Sequence, residues 1–248
     1  MVNAPFVAAA MSTIAIALAI FFVWAVEQST PNPSREQRRQ RRLRAALGAF
    51  GWLALTGVLA ASGVFARFEL RPPPLMLMMA AILVVSVALG LSRVGAELSQ
   101  LPLPVLIGWQ AFRFPLELVM HEAANVGLMP SVMSYSGRNF DIVSGVSALV
   151  LALALARFRV PRGVVIAWQV LASALLLNIM VVAILATPLF HAFGEDQVNT
   201  WVAYFPYVWL PAVMVSTAVL GHIVIARRLL AERRSGSLSG AVQVPRPQ

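Results

Sequence analysis

Arg113 and Glu117 stand one helical turn apart in the middle of the fourth of about seven long apolar segments. A charge at bilayer depth costs roughly 2.5–3.5 kcal/mol even on lenient insertion scales, so ionisable residues there mark a site unless packing explains them. Gln110, His121 and Asn125 extend the pair at spacings of three and four. At about 100° per residue, Gln110 to His121 fall within an arc of about 80° on one helix face. The seam carries the groups that proton exchange requires. A carboxyl lies between a cation and an apolar surround, and an imidazole one turn away can pass protons near neutral pH. Arg precedes Glu, the weaker order for an intrahelical pair, which leaves either side chain free to reach another helix or a ligand. Pro115, on the opposite face, deprives the Ala111 carbonyl of its donor and allows a kink.

A second polar group follows in Gly137-Arg138-Asn139-Phe140-Asp141. Gly permits close approach, Arg can grip an anion through parallel bonds, and Asn139 and Asp141 offer acceptors at the start of the next helix. Seam and mouth (Arg138, Asn139, Asp141) together fit a small polar molecule with an anionic group, an ion or a proton. The competing structural reading locks Arg113 to Glu117 for helix packing and pairs Arg138 with Glu122 or Asp141.

The run Phe112-Arg113-x-x-x-Glu117-x-x-x-His121, followed by Gly127, Pro130, Met133 and Gly137-Arg138-Asn139-Phe140-Asp141, resembles a motif of bacterial multi-pass membrane proteins with no assigned activity. The resemblance implies a bacterial inner-membrane protein and carries no reaction with it. Ser136 stands where that pattern leads one to expect an acidic residue.

The elements that must position these residues are membrane helices. Hydrophobic residues make up 59% of the chain and charged ones 12%, and the apolar stretches reach the roughly 20 residues that a bilayer requires. The expected fold is therefore all-α, a polytopic bundle of about seven transmembrane helices at 5–26, 45–66, 75–95, 103–126, 139–157, 164–189 and 205–226. The first lacks a charged leading region and reads as an uncleaved anchor. Arginines set the orientation. Arg35–Arg44, Arg93, Arg157–Arg162, Arg227–Arg234 and Arg246 fall on one side, and only Arg67, Arg71 and Arg138 on the other. The positive-inside rule then puts the amino terminus outside and the carboxyl terminus in the cytoplasm. Trp201, Tyr204, Phe205, Tyr207 and Trp209 suit an interfacial belt at the outer boundary. Residues 1–234 read as one seven-helix domain, and 235–248, rich in Ser, Gly, Gln and Pro, as a disordered tail. Gly127 and Pro130 suit a helix stop. The apolar connection from Leu128 to Arg138 is expected at the interface or dipping into the bundle.

Several function classes drop out. The formal charge of +9 comes from arginines at segment ends, where topology and anionic lipid explain them, so a nucleic-acid partner is not expected. All 19 basic residues are Arg, and without Lys no retinal Schiff base forms. Zero Cys removes disulfides and thiol chemistry. His121-Glu122-Ala123-Ala124-Asn125 has Asn where a zinc-protease helix needs its second His. Tyr135-Ser136-Gly137 departs from a rhomboid-type serine site because Ser134 replaces the preceding Gly, although Ser134 or Ser136 with His121 or His191 keeps a nucleophilic site open. No metal site is expected, with His121 and His191 as a weaker haem- or metal-ligand alternative. His222 is expected toward the cytoplasmic end. The run Leu75–Met79 reads as packing or lipid-facing surface.

The leading expectation is small-molecule or proton-coupled ion binding or transport at an outward-facing site, with the lipid bilayer as constant partner. Arg113 would be counter-ion, Glu117 acceptor and His121 relay. A membrane-embedded enzyme or cofactor protein using His121 is the alternative, and an assembly subunit docking another helix is a third. Cofactor, oligomeric state and ligand stay open.

Overall fold

The structure is a computed structural model that describes residues 3–29 and 33–241, with side chains through Arg233. It is all-α, 78% helical, with no strand among the described residues. Helix α1 (Asn3–Gln28) is an almost unbroken apolar run. Helix α2 (Arg35–Ala61) begins ten residues before the expected apolar start, at the basic cluster itself. Arg and Gln propagate a helix well, and a reciprocal capping box between Ser34 and Gln37 starts it. The third apolar segment is divided. Helix α3 (Pro74–Leu91) stops at Ser92, whose side chain caps the short α4 (Arg93–Leu98).

The fourth segment is divided as well. Helix α5 (Leu103–Trp109) passes through a 3-10 turn, Gln110–Phe112, into α6 (Arg113–Asn125). Pro115 has no amide to give the Ala111 carbonyl, so the ladder tightens just where the kink is expected. Helices α7 (Asp141–Arg157) and α8 (Arg162–Leu185) follow. The last segment opens as a π-helical stretch, Leu210–Val215, and continues as α9 (Ser216–Ala241). Pro211 lies in that stretch and likewise donates no backbone hydrogen bond. Helix α9 stays helical beyond Ser235, where the sequence reading has the tail leaving the fold, because each added residue gains a backbone bond once a helix is running. Residues 242–248 of that expected tail lie outside the described residues.

Five helices among the described residues are long and apolar enough to cross a membrane: α1, α2, α3, α8 and the stretch Leu210–Arg233. The other two expected crossings differ for local reasons. The fourth segment is split by its 3-10 turn, and α7 has 17 residues.

Tryptophan and arginine side chains tie the helices by their backbones. Trp52 donates to Ala212 O at 2.8 Å and Trp209 to Leu53 O at 3.0 Å, which joins α2 to the π-helical stretch. Arg227 donates to Gly90 O and Ser92 O, satisfying carbonyls left open at the end of α3. Arg41 on α2 grips both carboxylate oxygens of Glu97 on α4. Arginines beyond the apolar segments therefore close a helix end, as Arg227 does, and tie helix to helix, as Arg41 does.

A close backbone approach lies between α6 and α7. A Cβ built on Gly145 would come 2.2 Å from Phe114 N, so only glycine lets these backbones meet beside Arg113. Gly145→Ala is expected to destabilise the fold by about 1–3 kcal/mol, the range of overpacking. Gly51→Ala, inside α2 with open space around it, should not destabilise and by helix propensity should stabilise by up to about 1 kcal/mol. Thermal unfolding in detergent separates the two, and equal midpoints would contradict the close approach.

Candidate functional site

Arg113 is the first residue of α6 and Asp141 the first of α7. The close approach at Gly145 brings them face to face, and both are buried. The guanidinium meets the carboxylate through two bonds, Nε to Oδ2 at 2.5 Å and a terminal nitrogen to Oδ1. The intrahelical Arg113–Glu117 pairing considered from the sequence is therefore not what forms. Asp141 presents a planar carboxylate to the planar fork from a neighbouring helix, and bidentate geometry is the stronger contact.

The rest of the Arg113 fork extends the network to α9 and α8. One terminal nitrogen lies 3.0 Å from His222 Nε2, and the other reaches Ala172 O at 3.4 Å. An arginine can only donate, so Nε2 accepts and the imidazole proton sits on Nδ1. That proton points to Gln169 Oε1 at 3.1 Å, while Gln169 Nε2 donates to His222 O at 2.9 Å. His222 thus lies level with Arg113. Within the apolar stretch Leu210–Arg233 it falls near the middle.

Glu117 is buried and has a different partner. Asn139 Nδ2 lies 2.9 and 2.8 Å from its two oxygens and 3.0 Å from Met133 O. The other face of the same amide accepts from Asp141 N at 3.0 Å. Asn139 therefore caps α7 and holds Glu117 with one side chain. Among the described residues no cation lies within ion-pair distance of Glu117.

The outer part of the expected seam behaves differently at each position. His121 Nδ1 is 2.9 Å from Ser134 Oγ, and its ring stacks on Tyr135 with centroids 4.3 Å apart. Ser134 is fully buried. Asn125 is exposed at the end of α6. Arg138 pairs with neither Glu122 nor Asp141. Its guanidinium lies over the Phe193 ring at 5.2 Å, and its carbonyl accepts from Asn178. Gln110 is buried against α9, where a Cβ at Gly221 would fall 1.8 Å from its Nε2, and its amide atoms have no hydrogen-bond partner. His191 is at the surface beside Glu195, at 3.7 Å. No hydrogen bond, ion pair or ring contact joins His121 to His191, and no group of three His, Asp or Glu among the described residues could hold a metal.

A cavity of about 310 Å³ reaches Arg113, Glu117 and Asp141. Six of the ten methionines line it: Met76, Met79, Met120, Met133, Met180 and Met214. Of the Leu75–Met79 run, Met76 and Met79 line the cavity, Leu75 and Met78 are buried in packing, and Leu77 is exposed. A second cavity of about 530 Å³ runs between α1, α2, α3 and α9, beside Arg41, Arg44 and Glu97. The two share Ile82, Ser86 and Ser216 as a common wall.

The chemistry follows from the charges. Asp141 takes the one guanidinium, and His222, whose Nε2 accepts from it, adds no charge, so Glu117 in its ionised form is left without a matching cation. A bound cation, or a proton on the carboxyl, balances it. Sequence reasoning singled out Arg113, Glu117, Asn139 and Asp141, which the structure brings together, and offered Ser134 beside His121; it missed Gln169 and His222 as partners of Arg113. The available signal was a polar residue inside an otherwise apolar span, as His222 and Gln169 are.

The described fold and centre define an all-α chain with five helices suited to crossing a membrane and a buried ionic cluster between them. No protein-family model, curated protein or solved structure matches it.

Asn139→Leu removes the amide that donates to Glu117 and accepts from Asp141 N. Stability in detergent should fall by about 2–3 kcal/mol, the cost of leaving a buried polar group unpaired. Restoring an apolar partner in Asn139→Leu with Glu117→Met should recover most of the loss. No recovery in the double variant would contradict this pairing.

Proposed function

We propose that this chain is a bacterial inner-membrane protein that crosses the bilayer seven times, with its amino terminus outside, and binds a small cationic or hydrogen-bond-donating molecule at Glu117, exchanging it against a proton during transport. The carrying observation is a buried carboxyl that faces a cavity and lacks a cation, beside an arginine already engaged by Asp141. The likeness of Arg113-x-x-x-Glu117-x-x-x-His121 and the Gly137–Asp141 run to bacterial multi-pass proteins supports the localisation. The arginine distribution supports the orientation. Helix α7 rises about 26 Å for its length, short of a roughly 30 Å hydrocarbon core. The buried Met133, Ser134 and Asn139 ahead of it complete that depth, as irregular backbone does when protein covers it.

The ligand differs from the anionic one expected from the sequence. Both guanidinium edges that could grip an anion are taken by Asp141, His222 and Ala172. What remains unmatched is acidic. Glu117→Gln keeps the shape and a hydrogen bond to Asn139 but removes the ionisable group. In proteoliposomes carrying an internal pH dye, a gradient of primary amines should drive proton movement through the native chain, and at least tenfold less through Glu117→Gln. Equal proton movement in both would reject the assignment.

A second reading rests on one contact, His121 Nδ1 to Ser134 Oγ at 2.9 Å, the geometry of a base beside a nucleophile. A serine-directed fluorophosphonate that labels the native chain and not Ser134→Ala would favour a membrane-embedded hydrolase. Absence of labelling leaves Ser134 as the residue that orients His121.

A further inference from the structure

The walls and the closure of the cavity narrow the ligand further, on the premise that Glu117 is the binding carboxyl. A path for hydrated ions needs polar lining, and this one has little: beyond the ionic floor the cavity is bounded by methionine, leucine, isoleucine, valine and alanine with Phe112 and Pro211, and Ser86, Ser216 and Asn199 are the polar exceptions. Ser86 and Ser216 each donate to a carbonyl of their own helix. Methionine walls adapt to varied apolar shapes, as they do on promiscuous binding surfaces. Apolar walls converging on a few polar groups are the usual form of an organic-ligand pocket.

Access is equally directional. At the end bearing the connections before α7 and after α8, the cavity is capped by Met133, Asn199 and Val202, each no more than 3% exposed. The expected outer mouth is therefore shut. On the side between α3 and α8 the bounding residues are only partly covered: Met76, Ala80 and Leu83 on one helix, Ile179, Met180 and Ile184 on the other. Leu83 is 41% exposed. Both helices are long and apolar enough to cross a membrane, so the gap between them faces acyl chains and not water.

We infer that the cavity takes an amphiphilic amine sideways from the bilayer, with the charged head against Glu117 and the apolar body along the methionine wall between α3 and α8. The head pairs with the ionised Glu117 carboxylate, which Arg113, held by Asp141, does not match. The tail lies in the window and keeps contact with lipid.

The test uses the full chain in lipid nanodiscs and three probes: dodecylamine, ethylamine and dodecanoate. Dodecylamine should bind at least tenfold more tightly than ethylamine, and dodecanoate should not compete. Glu117→Gln should weaken dodecylamine at least tenfold. Ala80→Trp or Ala183→Trp, which place a large side chain on either flank of the window, should slow dodecylamine association at least tenfold. Two flanks are used so that one poorly folded variant does not decide the matter, and thermal unfolding checks each. Equal binding of ethylamine and dodecylamine, both lost in Glu117→Gln, would overturn lateral access while Glu117 stays a cation site. Equal binding of dodecanoate would overturn the amine head. Binding of no amine to a folded chain would overturn this inference and the proposed function together.

Discussion

The bidentate contact between Arg113 and Asp141 is the interaction on which the rest of the structure depends. It joins the first residues of two helices deep in an apolar bundle, where neither charge could stay without the other. Gly145 lets the backbones come close enough, and Asn139 sets the start of α7 so that Asp141 faces inward. His222 and the Ala172 carbonyl then take the remaining guanidinium donors, with Gln169 holding His222, and link α9 and α8 to the pair. Four helices meet around one cation. With that cation held by Asp141, Glu117 is left to Asn139 and the cavity, and the functional reading follows from this division of partners.

Much of this was legible in the sequence, and the limit is informative. The apolar segments gave the all-α class because about 20 apolar residues have one common solution in a bilayer. The three-and-four spacing put Arg113, Glu117 and His121 on one face, and the structure places them on α6 in that order. Boundaries were less legible where polar residues cap or extend a helix, as Ser34 and the arginines do for α2. Helix breaks at Ser92 and at the 3-10 turn depend on which carbonyls find donors, a matter of tertiary context. Partners were least legible. Arg113 pairs with Asp141, 28 residues away, and touches His222, 109 residues away, and no local spacing encodes either contact.

The cavity shows how composition can mislead at short range. Leu75–Met79 looks like any apolar surface, yet two of its methionines face a space that ends on three ionisable groups. Unbranched, polarizable side chains suit a wall that must fit varied apolar bodies. The π-helical stretch Leu210–Val215 forms another part of that wall, and local ladder defects of this kind often occur at functional sites. Ser86 and Ser216 mark where this cavity meets the one beside Arg41 and Glu97, a thin division between two spaces in one bundle.

The most direct measurement of the central claim is a pair of double-mutant cycles on thermal stability in detergent, one joining Arg113→Met with Asp141→Leu, the other joining Arg113→Met with Glu117→Leu. The account gives a coupling of about 3 kcal/mol or more for Arg113 with Asp141, and a clearly smaller one for Arg113 with Glu117. A larger coupling to Glu117 would mean that the guanidinium belongs to its helical neighbour, and the free carboxyl on which the binding site rests would not exist.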